Sequence, residues 1–235
     1  MMTTTASNPT QTVPADLGAA ELARRLYPDG PVLTRFIQRH RHRICPLDLL
    51  VEQVPRGSRV LDVGCGGGLL AAHLVASGRA QSVHGIDASR PAIEIAQSMA
   101  GRLKDVVPAA RAHFEHRQVQ DGLPDEEFDV VCLIDVLHHV PVEAQEKAFT
   151  DAASRVGPGG VFLYKDMADG PVWCSGMNRL HDLAMARQWI RYVPIERAEE
   201  WGDRAGLRLE RSEDVRMLWY AHEMRVFRRA GGDAA

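Results

Sequence analysis

The pattern of apolar and polar positions changes near residue 58. From there, short apolar runs alternate with segments whose apolar residues recur at helical spacing, which predicts parallel strands joined by helices. Two further strand-like runs lie so close together in sequence that we expect an antiparallel pair at the sheet edge. The predicted fold class is therefore α/β: a doubly wound, mainly parallel seven-stranded sheet with an antiparallel edge strand. The predicted strands are Ser58–Gly64, Ser82–Asp87, Ala112–Val119, Phe128–Val136, Val161–Asp166, residues 207–215 and residues 222–229.

The chain around this sheet divides into five segments. The first is polar and lacks periodicity, which predicts a disordered tail. An amphipathic helical cap follows, then a ligand-binding core, a helical lid insertion and a part that completes the sheet. Within the core, the glycine-rich stretch at residues 157–160 is predicted to turn the chain before the fifth strand. The five segments are residues 1–13, 14–54, 55–166, 167–193 and 194–230.

Composition and charge exclude several classes of protein. Hydrophobic residues make up 45% of the chain and charged residues 25%, which is typical of a globular domain. The 28 Lys and Arg residues against 31 Asp and Glu give a net charge of -3, which argues against a nucleic-acid partner. The sequence has no apolar run long enough for a membrane span and no signal peptide, so we expect a cytoplasmic protein. The four cysteines show no CxxC spacing, so neither a zinc site nor a disulfide framework is expected.

The most informative stretch is VLDVGCGGG, residues 60–68, which lies between a predicted strand and a predicted helix. Its glycines allow a ligand to approach the backbone, and the following helix presents free N–H groups. Asp87, at the end of the second strand, can accept both ribose hydroxyls of an adenosine-containing cofactor. The dinucleotide fingerprint would require glycine where this chain has Leu69, and the Asp62 carboxylate suits a ligand with a cationic end.

This pattern resembles the class I S-adenosylmethionine (SAM) methyltransferases, whose loop reads E/D-x-G-x-G-x-G. Asp62, Gly64, Gly66 and Gly68 fill that loop without a gap. Three further stretches are similar to motifs of the ubiquinone/menaquinone-type small-molecule methyltransferases: HGIDAS, FDVVCLIDVLHHV and VGPGG. The resemblance implies a Rossmann-like fold with SAM as cofactor. It also implies that Asp62 organises the methionine end and that Gly64 and Gly66 line the methionine and ribose. Cys65 belongs to the same cofactor-binding loop, where its thiol is expected to be a small packed side chain and not a nucleophile.

The resemblance also assigns the far side of the cofactor site. Asp87 is expected to hold the ribose diol, with Ala88 against the adenine. Gln118 stands where the family usually has an aspartate that reads the adenine amino group, and an amide oxygen can accept the same hydrogen bond. The backbone N–H of Val119 is expected to meet the ring. Asp135 is expected beside the amino group and the sulfonium.

Three histidines are candidates for a general base, which is needed only when the acceptor must lose a proton. His138 and His139 follow the fourth strand, and His181 lies in the insertion. Each also has a structural interpretation: the first two could cap a helix or bond a carbonyl, and His181 could be a polar residue on a lid helix. Tyr164 is a further alternative.

No metal site is predicted. Asp135 and Asp166 end adjacent predicted strands and could share a divalent ion, as carboxylates do in catechol-type methyltransferases. However, Met167 stands where that family has an asparagine.

The function predicted from the sequence is SAM-dependent methylation of a small molecule by in-line displacement. A ring-bearing acceptor is expected, because Trp173, Met177, Met185 and Trp189 lie in the predicted lid. Two alternatives stay open at this point: a nicotinamide-dependent oxidoreductase and a non-catalytic SAM-binding protein.

Overall fold

The computed structural model describes residues 19–28, 45–167, 192–217 and 220–232. The predicted tail, part of the predicted cap and most of the predicted lid lie outside these residues. No helix of the described part is long and apolar enough to cross a membrane. The described elements are, in chain order, α1 Ala19–Leu26, α2 Leu47–Gln53, β1 Ser58–Val63, α3 Leu69–Ala76, β2 Ala80–Asp87, α4 Arg90–Val106, β3 Ala112–His116, β4 Phe128–Ile134, α5 Val142–Ser154, β5 Val156–Met167, α6 Ile195–Arg204, β6 Leu207–Met217 and β7 Tyr220–Arg229.

The seven strands form one sheet in the order β3-β2-β1-β4-β5-β7-β6. The ladders from β3 to β5 are parallel, and β7 runs antiparallel to both β5 and β6. The predicted doubly wound fold and its antiparallel pair at the edge are thereby confirmed. The strand order reverses between β1 and β4, which is where ligands bind in sheets of this kind.

Helices cover both faces of the sheet, so successive residues of the central strands face different cores. Val60 of β1 packs with the helices α1 to α4, whereas Leu61 packs on the other face with α5 and α6. Helix α3 is buried from Leu69 to Val75, which explains its almost continuously apolar sequence. Burial of each large aliphatic side chain stabilises the fold by roughly 1.5–3 kcal/mol.

Two predicted strand boundaries differ from the structure by more than two residues. Residues 157–160, predicted as a turn, lie inside β5, which begins at Val156. The ladder pairs Phe128 with Val156 and then Val130 with Val161, so the extra residues form a bulge in β5 rather than a separate turn. Val119, predicted in the third strand, instead begins a short 3₁₀ turn, because β3 ends at His116.

Candidate cofactor and acceptor site

The glycine loop is fastened to the end of β2 through its backbone. The N–H groups of Gly64 and Cys65 both donate to the carbonyl of Ile86, at 2.8 and 3.0 Å. Gly64 has φ 76°, and a Cβ at this position would lie 2.3 Å from Cγ2 of Val136. The close approach of the loop that follows β4 therefore requires glycine here.

Asp87 is oriented by the loop that it faces. Its Oδ2 accepts a hydrogen bond of 2.8 Å from the N–H of Gly66, and its Oδ1 accepts one of 2.7 Å from the N–H of Ser89. Each carboxylate oxygen can accept a second hydrogen bond, so both can still receive a hydroxyl. Gly68 serves the loop differently: it is the N-cap residue of α3, and a Cβ there would lie 2.6 Å from Cε of Met99, in the core.

Asp62 lies below the loop at the edge of a narrow cavity of about 30 Å³. Leu47 and Leu50 of α2 supply an apolar wall of this cavity, and Cys65 lies on the loop side. Burial raises the pKa of the Cys65 thiol, and the nearby Asp62 and Asp87 carboxylates add to this increase. The thiol is therefore neutral at physiological pH, in agreement with a packing role.

Tyr27 joins the N-terminal helix to the same loop. Its hydroxyl donates a buried hydrogen bond of 2.7 Å to the carbonyl of Gly67. The guanidinium of Arg102, on α4, donates at 3.1 Å to the carbonyl of Leu26, the last residue of α1. The hydrogen bond between Tyr27 and Gly67 was not predicted from the sequence, because nothing in the spacing of Tyr27 indicates a partner forty residues away.

A cleft of about 430 Å³ opens at the point where the strand order reverses. It brings together most of the residues predicted for the adenosine end of the cofactor with one of the predicted histidines. Six further lining residues were not predicted, since they belong to no motif that singles them out: Ile86 of β2 and the loop residues Arg117, Gln120, Val136, Val140 and Pro141. The predicted residues that line the cleft are Gly64, Asp87, Ala88, Gln118, Val119, Asp135 and His139.

The acidic group at the floor of the cleft is paired. The buried Lys165 ammonium donates a hydrogen bond of 2.6 Å to Oδ1 of Asp135. Asp135 has φ 56°, a conformation that residues other than glycine rarely adopt. Sequence reasoning placed Lys165 only at a strand end and did not detect the pair, because lysine in a buried strand gives no signal of its partner.

The two adjacent histidines have different surroundings. His138 is buried, and its Nδ1 makes a short contact with Oδ1 of the buried Asp166. His139 is exposed and lines the cleft. His181, the third candidate, lies outside the described residues.

Tyr164 does not suit the role of a base. It is buried, and its pKa is raised well above the usual value, by desolvation first and then by Asp166. The phenolate form is therefore disfavoured.

The carboxylates considered for a metal do approach one another. Ligand atoms of Asp135, His138 and Asp166 lie within 4.8 Å of one another. The Lys165 ammonium already supplies a positive charge to this cluster. The ammonium therefore offsets one of the two carboxylate charges of the cluster.

A family model described as a methyltransferase domain matches residues 35–212. The chain therefore belongs to this methyltransferase family, and its sheet order and glycine loop are those of the class I SAM-dependent methyltransferases. The family predicted from the sequence is confirmed, and the nicotinamide-dependent alternative is not favoured.

Among characterised proteins, the chain is similar to the ubiquinone biosynthesis O-methyltransferase of Neisseria meningitidis serogroup C (strain 053442), with 34% identity over 59% of this chain and 54% of that protein. The similarity to the enzyme of the same name from Coxiella burnetii (strain RSA 331 / Henzerling II) is 29% over 72% of each chain. The magnesium protoporphyrin IX methyltransferase of Synechocystis PCC 6803, solved with bound SAH, superposes with a TM-score of 0.66 at 21% identity, over 89% of this chain and 93% of that one. The chain spans about half the length of the first curated relatives that it matches.

Proposed function

We propose that the protein transfers the methyl group of SAM to a hydroxyl group of a small, ring-bearing acceptor. One observation carries the proposal: a single cleft contains the Asp87 carboxylate at the end of β2 and the exposed His139 after β4. A carboxylate of this kind can hold ribose hydroxyls, and an imidazole can accept a proton. The names of the curated relatives, which are O-methyltransferases, support oxygen as the acceptor atom.

The residues present fit SAM. The Asp87 carboxylate is held toward the cleft by two backbone N–H groups, so it is already oriented for the ribose. Asp62 and the apolar wall of α2 have the chemistry that suits a cationic end with an aliphatic chain, and the cavity of about 30 Å³ between them must widen to admit that chain. When bound, SAM supplies a methyl group that is already activated on a positively charged sulfur.

The chain's own residues then have three tasks. Asp87 binds and orients the adenosine end, and Asp62 stabilises positive charge near the loop, since opposite charges attract strongly where water is scarce. His139 accepts the proton that the acceptor hydroxyl loses as its oxygen bonds to the methyl carbon. The electron pair of the broken carbon–sulfur bond stays on sulfur. Because the donor is activated, alignment of the two reactants supplies most of the acceleration.

Calorimetry with S-adenosylhomocysteine and NAD tests the cofactor first. We expect S-adenosylhomocysteine to bind at least about 100-fold more tightly than NAD, a difference of roughly 2.7 kcal/mol. Transfer of a labelled methyl group from SAM to catechols and other phenols, with anilines as a matched panel, then tests the acceptor. Tighter binding of NAD would overturn the cofactor assignment. Strong binding of S-adenosylhomocysteine without turnover of either panel would favour a non-catalytic SAM-binding protein.

A further inference from the structure

Two imidazoles and a carboxylate converge on the sheet face that lies away from α3 and α4. His84 of β2 and His113 of β3 are direct partners in the parallel ladder, and their ring centroids are 5.0 Å apart. Glu115 follows His113 by two residues on the same strand, so its side chain emerges on the same face. One ligand atom from each of the three residues lies within 4.8 Å of the others.

We propose that His84, His113 and Glu115 form a binding site for a divalent transition-metal ion, with Zn²⁺ as the best match. Imidazole nitrogen and carboxylate oxygen are ligands that Zn²⁺ prefers, and two histidines with one glutamate form a known ligand set. His113 is exposed, so one side of the ion would remain open to water or to an exogenous ligand.

The surroundings of the three residues favour an ion rather than a direct hydrogen bond. Nε2 of His84 lies 3.6 Å from Oε2 of Glu115, too far for a hydrogen bond. Bonds of about 2.1 Å from one tetrahedral ion place two ligand atoms roughly 3.4 Å apart, close to the observed separation. The other nitrogen of His84, Nδ1, lies 3.8 Å from a Glu126 carboxylate oxygen.

The other oxygen of Glu115 is held by Arg117. Its Oε1 accepts hydrogen bonds of 3.1 and 2.9 Å from Nε and Nη2 of this arginine, which leaves Oε2 directed at the histidines. These bonds lower the pKa of Glu115, so its carboxylate is ionised. Burial, and then the neighbouring His113, lower the pKa of His84 and favour its neutral ring.

The position of the site indicates what the ion would do. β3 is the last strand on its side of the sheet, and α3 and α4 pack on its other face, around Phe114. An ion held by His84, His113 and Glu115 would fasten this edge strand to β2. Arg117 lines the cofactor cleft and also donates at 3.2 Å to the carbonyl of Gly122. The ion would thereby stabilise a wall of the cleft without contacting the reacting atoms.

The experiment measures metal binding to the full, untagged chain after treatment with a chelator. Calorimetry with Zn²⁺ and absorption spectra with Co²⁺ should show one ion per chain, with Kd below about 100 μM. Saturating Zn²⁺ should raise the Tm by about 5 °C or more. H113A and E115Q should each weaken binding by about tenfold or more, since they remove a ligand. H113A alters an exposed residue and is expected to fold.

Two matched variants make the result specific. His116 lies on the same strand as His113 but on the opposite face, where its Nε2 donates to the carbonyl of Ala88 at 3.0 Å. H116A should therefore keep the Zn²⁺ affinity of the unaltered chain. D166N removes a ligand of the second cluster, that of Asp135, His138 and Asp166, and should also leave the affinity unchanged. Loss of binding in D166N with retention in H113A would overturn the proposal, and so would a Kd above about 1 mM for the unaltered chain.

Discussion

Two hydrogen bonds join Asp135 and Lys165, one between their backbones and one between their side chains. The N–H of Asp135 donates to the carbonyl of Lys165 at 2.8 Å, and the Lys165 ammonium donates back to the Asp135 carboxylate at 2.6 Å. The Lys165 side chain is 0% exposed and that of Asp135 is 18% exposed. This double connection fixes the chain where it leaves β4 and enters the cleft, at a residue with φ 56°.

Replacement of Lys165 by methionine should therefore destabilise the fold. The change leaves the Asp135 carboxylate without its cation, which costs roughly 3 kcal/mol for a buried pair. Urea unfolding of Lys165→Met measures this loss, and Lys104→Met, at an exposed position of α4, is the control. The double variant Lys165→Met with Asp135→Asn should recover part of the stability, because no unpaired charge remains. Purely additive losses would show that the two side chains do not interact.

Asp87→Asn should weaken the binding of S-adenosylhomocysteine by about tenfold or more, since hydrogen bonds to a charged group contribute about 1.5–3 kcal/mol each. The structure adds a second reason: the amide would replace one of the two oxygens that receive the loop N–H groups of Gly66 and Ser89. Calorimetry checks the affinity, and circular dichroism checks that the variant is folded. Asp105→Asn, exposed on α4, should bind as the unaltered chain does. An unchanged affinity in folded Asp87→Asn would remove Asp87 from the cofactor site.

The two histidines after β4 should respond differently to substitution. His139→Gln should lower kcat about a hundredfold with little change in SAM affinity, because its exposed imidazole lines the cleft and is the base that we propose. His138→Gln should mainly reduce stability, because its partner Asp166 would lose a buried contact. The measurements are single-turnover methyl transfer and thermal unfolding. A normal kcat in His139→Gln would mean that alignment alone suffices or that another residue takes the proton.

Tyr27→Phe tests whether α1 shapes the loop. Loss of the hydrogen bond to Gly67 removes about 0.5–1.5 kcal/mol, so the affinity for SAM should fall about three- to tenfold. Tyr164→Phe is a matched control, since within the described residues its buried hydroxyl has no hydrogen-bond partner. That control should leave affinity and stability unchanged or slightly improved. Equal affinities in the two variants would show that Tyr27 does not influence the cofactor.

The stability of the metal-free chain should depend on pH through His84. Its pKa in the folded state lies below the usual value of 6.5, chiefly because the ring is desolvated. Below pH 6.5 the unfolded chain therefore binds a proton that the folded chain resists, and the free energy of unfolding decreases as the pH falls. Urea titrations at pH 7.5 and 5.5 measure the change. A His84→Gln variant should show a smaller decrease over the same interval, and an identical decrease would exclude this origin.

The sequence predicted the sheet and its ligand-binding edge because both depend on local patterns. The apolar runs of β1 and β4 and the glycines between β1 and α3 are readable without tertiary information. The bulge at residues 157–160 was not readable, since glycine and proline there favour a turn just as well. The difference between a bulge and a turn depends on the pairing with β4, which the local sequence does not contain.

The sequence also predicted part of the candidate site, namely its residues, but not the hydrogen bonds that orient them. The motif indicated Asp87 and Asp135, but not the bonds that orient them, which come from Gly66, Ser89 and Lys165. The sequence likewise could not show which of His138 and His139 is buried and which lines the cleft. Adjacent side chains after a strand point in different directions, and which one faces the interior depends on Asp166, on a neighbouring strand.

The hydrogen bond from Tyr27 to Gly67 has a consequence for how this protein relates to its family. The matched region begins at residue 35, so the tyrosine lies before it, whereas the glycine loop lies within it. Two chains identical over residues 35–212 could therefore differ in cofactor affinity if their preceding helices differed. A chimaera that received only the matched region from a relative would combine that relative's glycine loop with the N-terminal helix of this chain. The loop would then lack the helix with which it evolved.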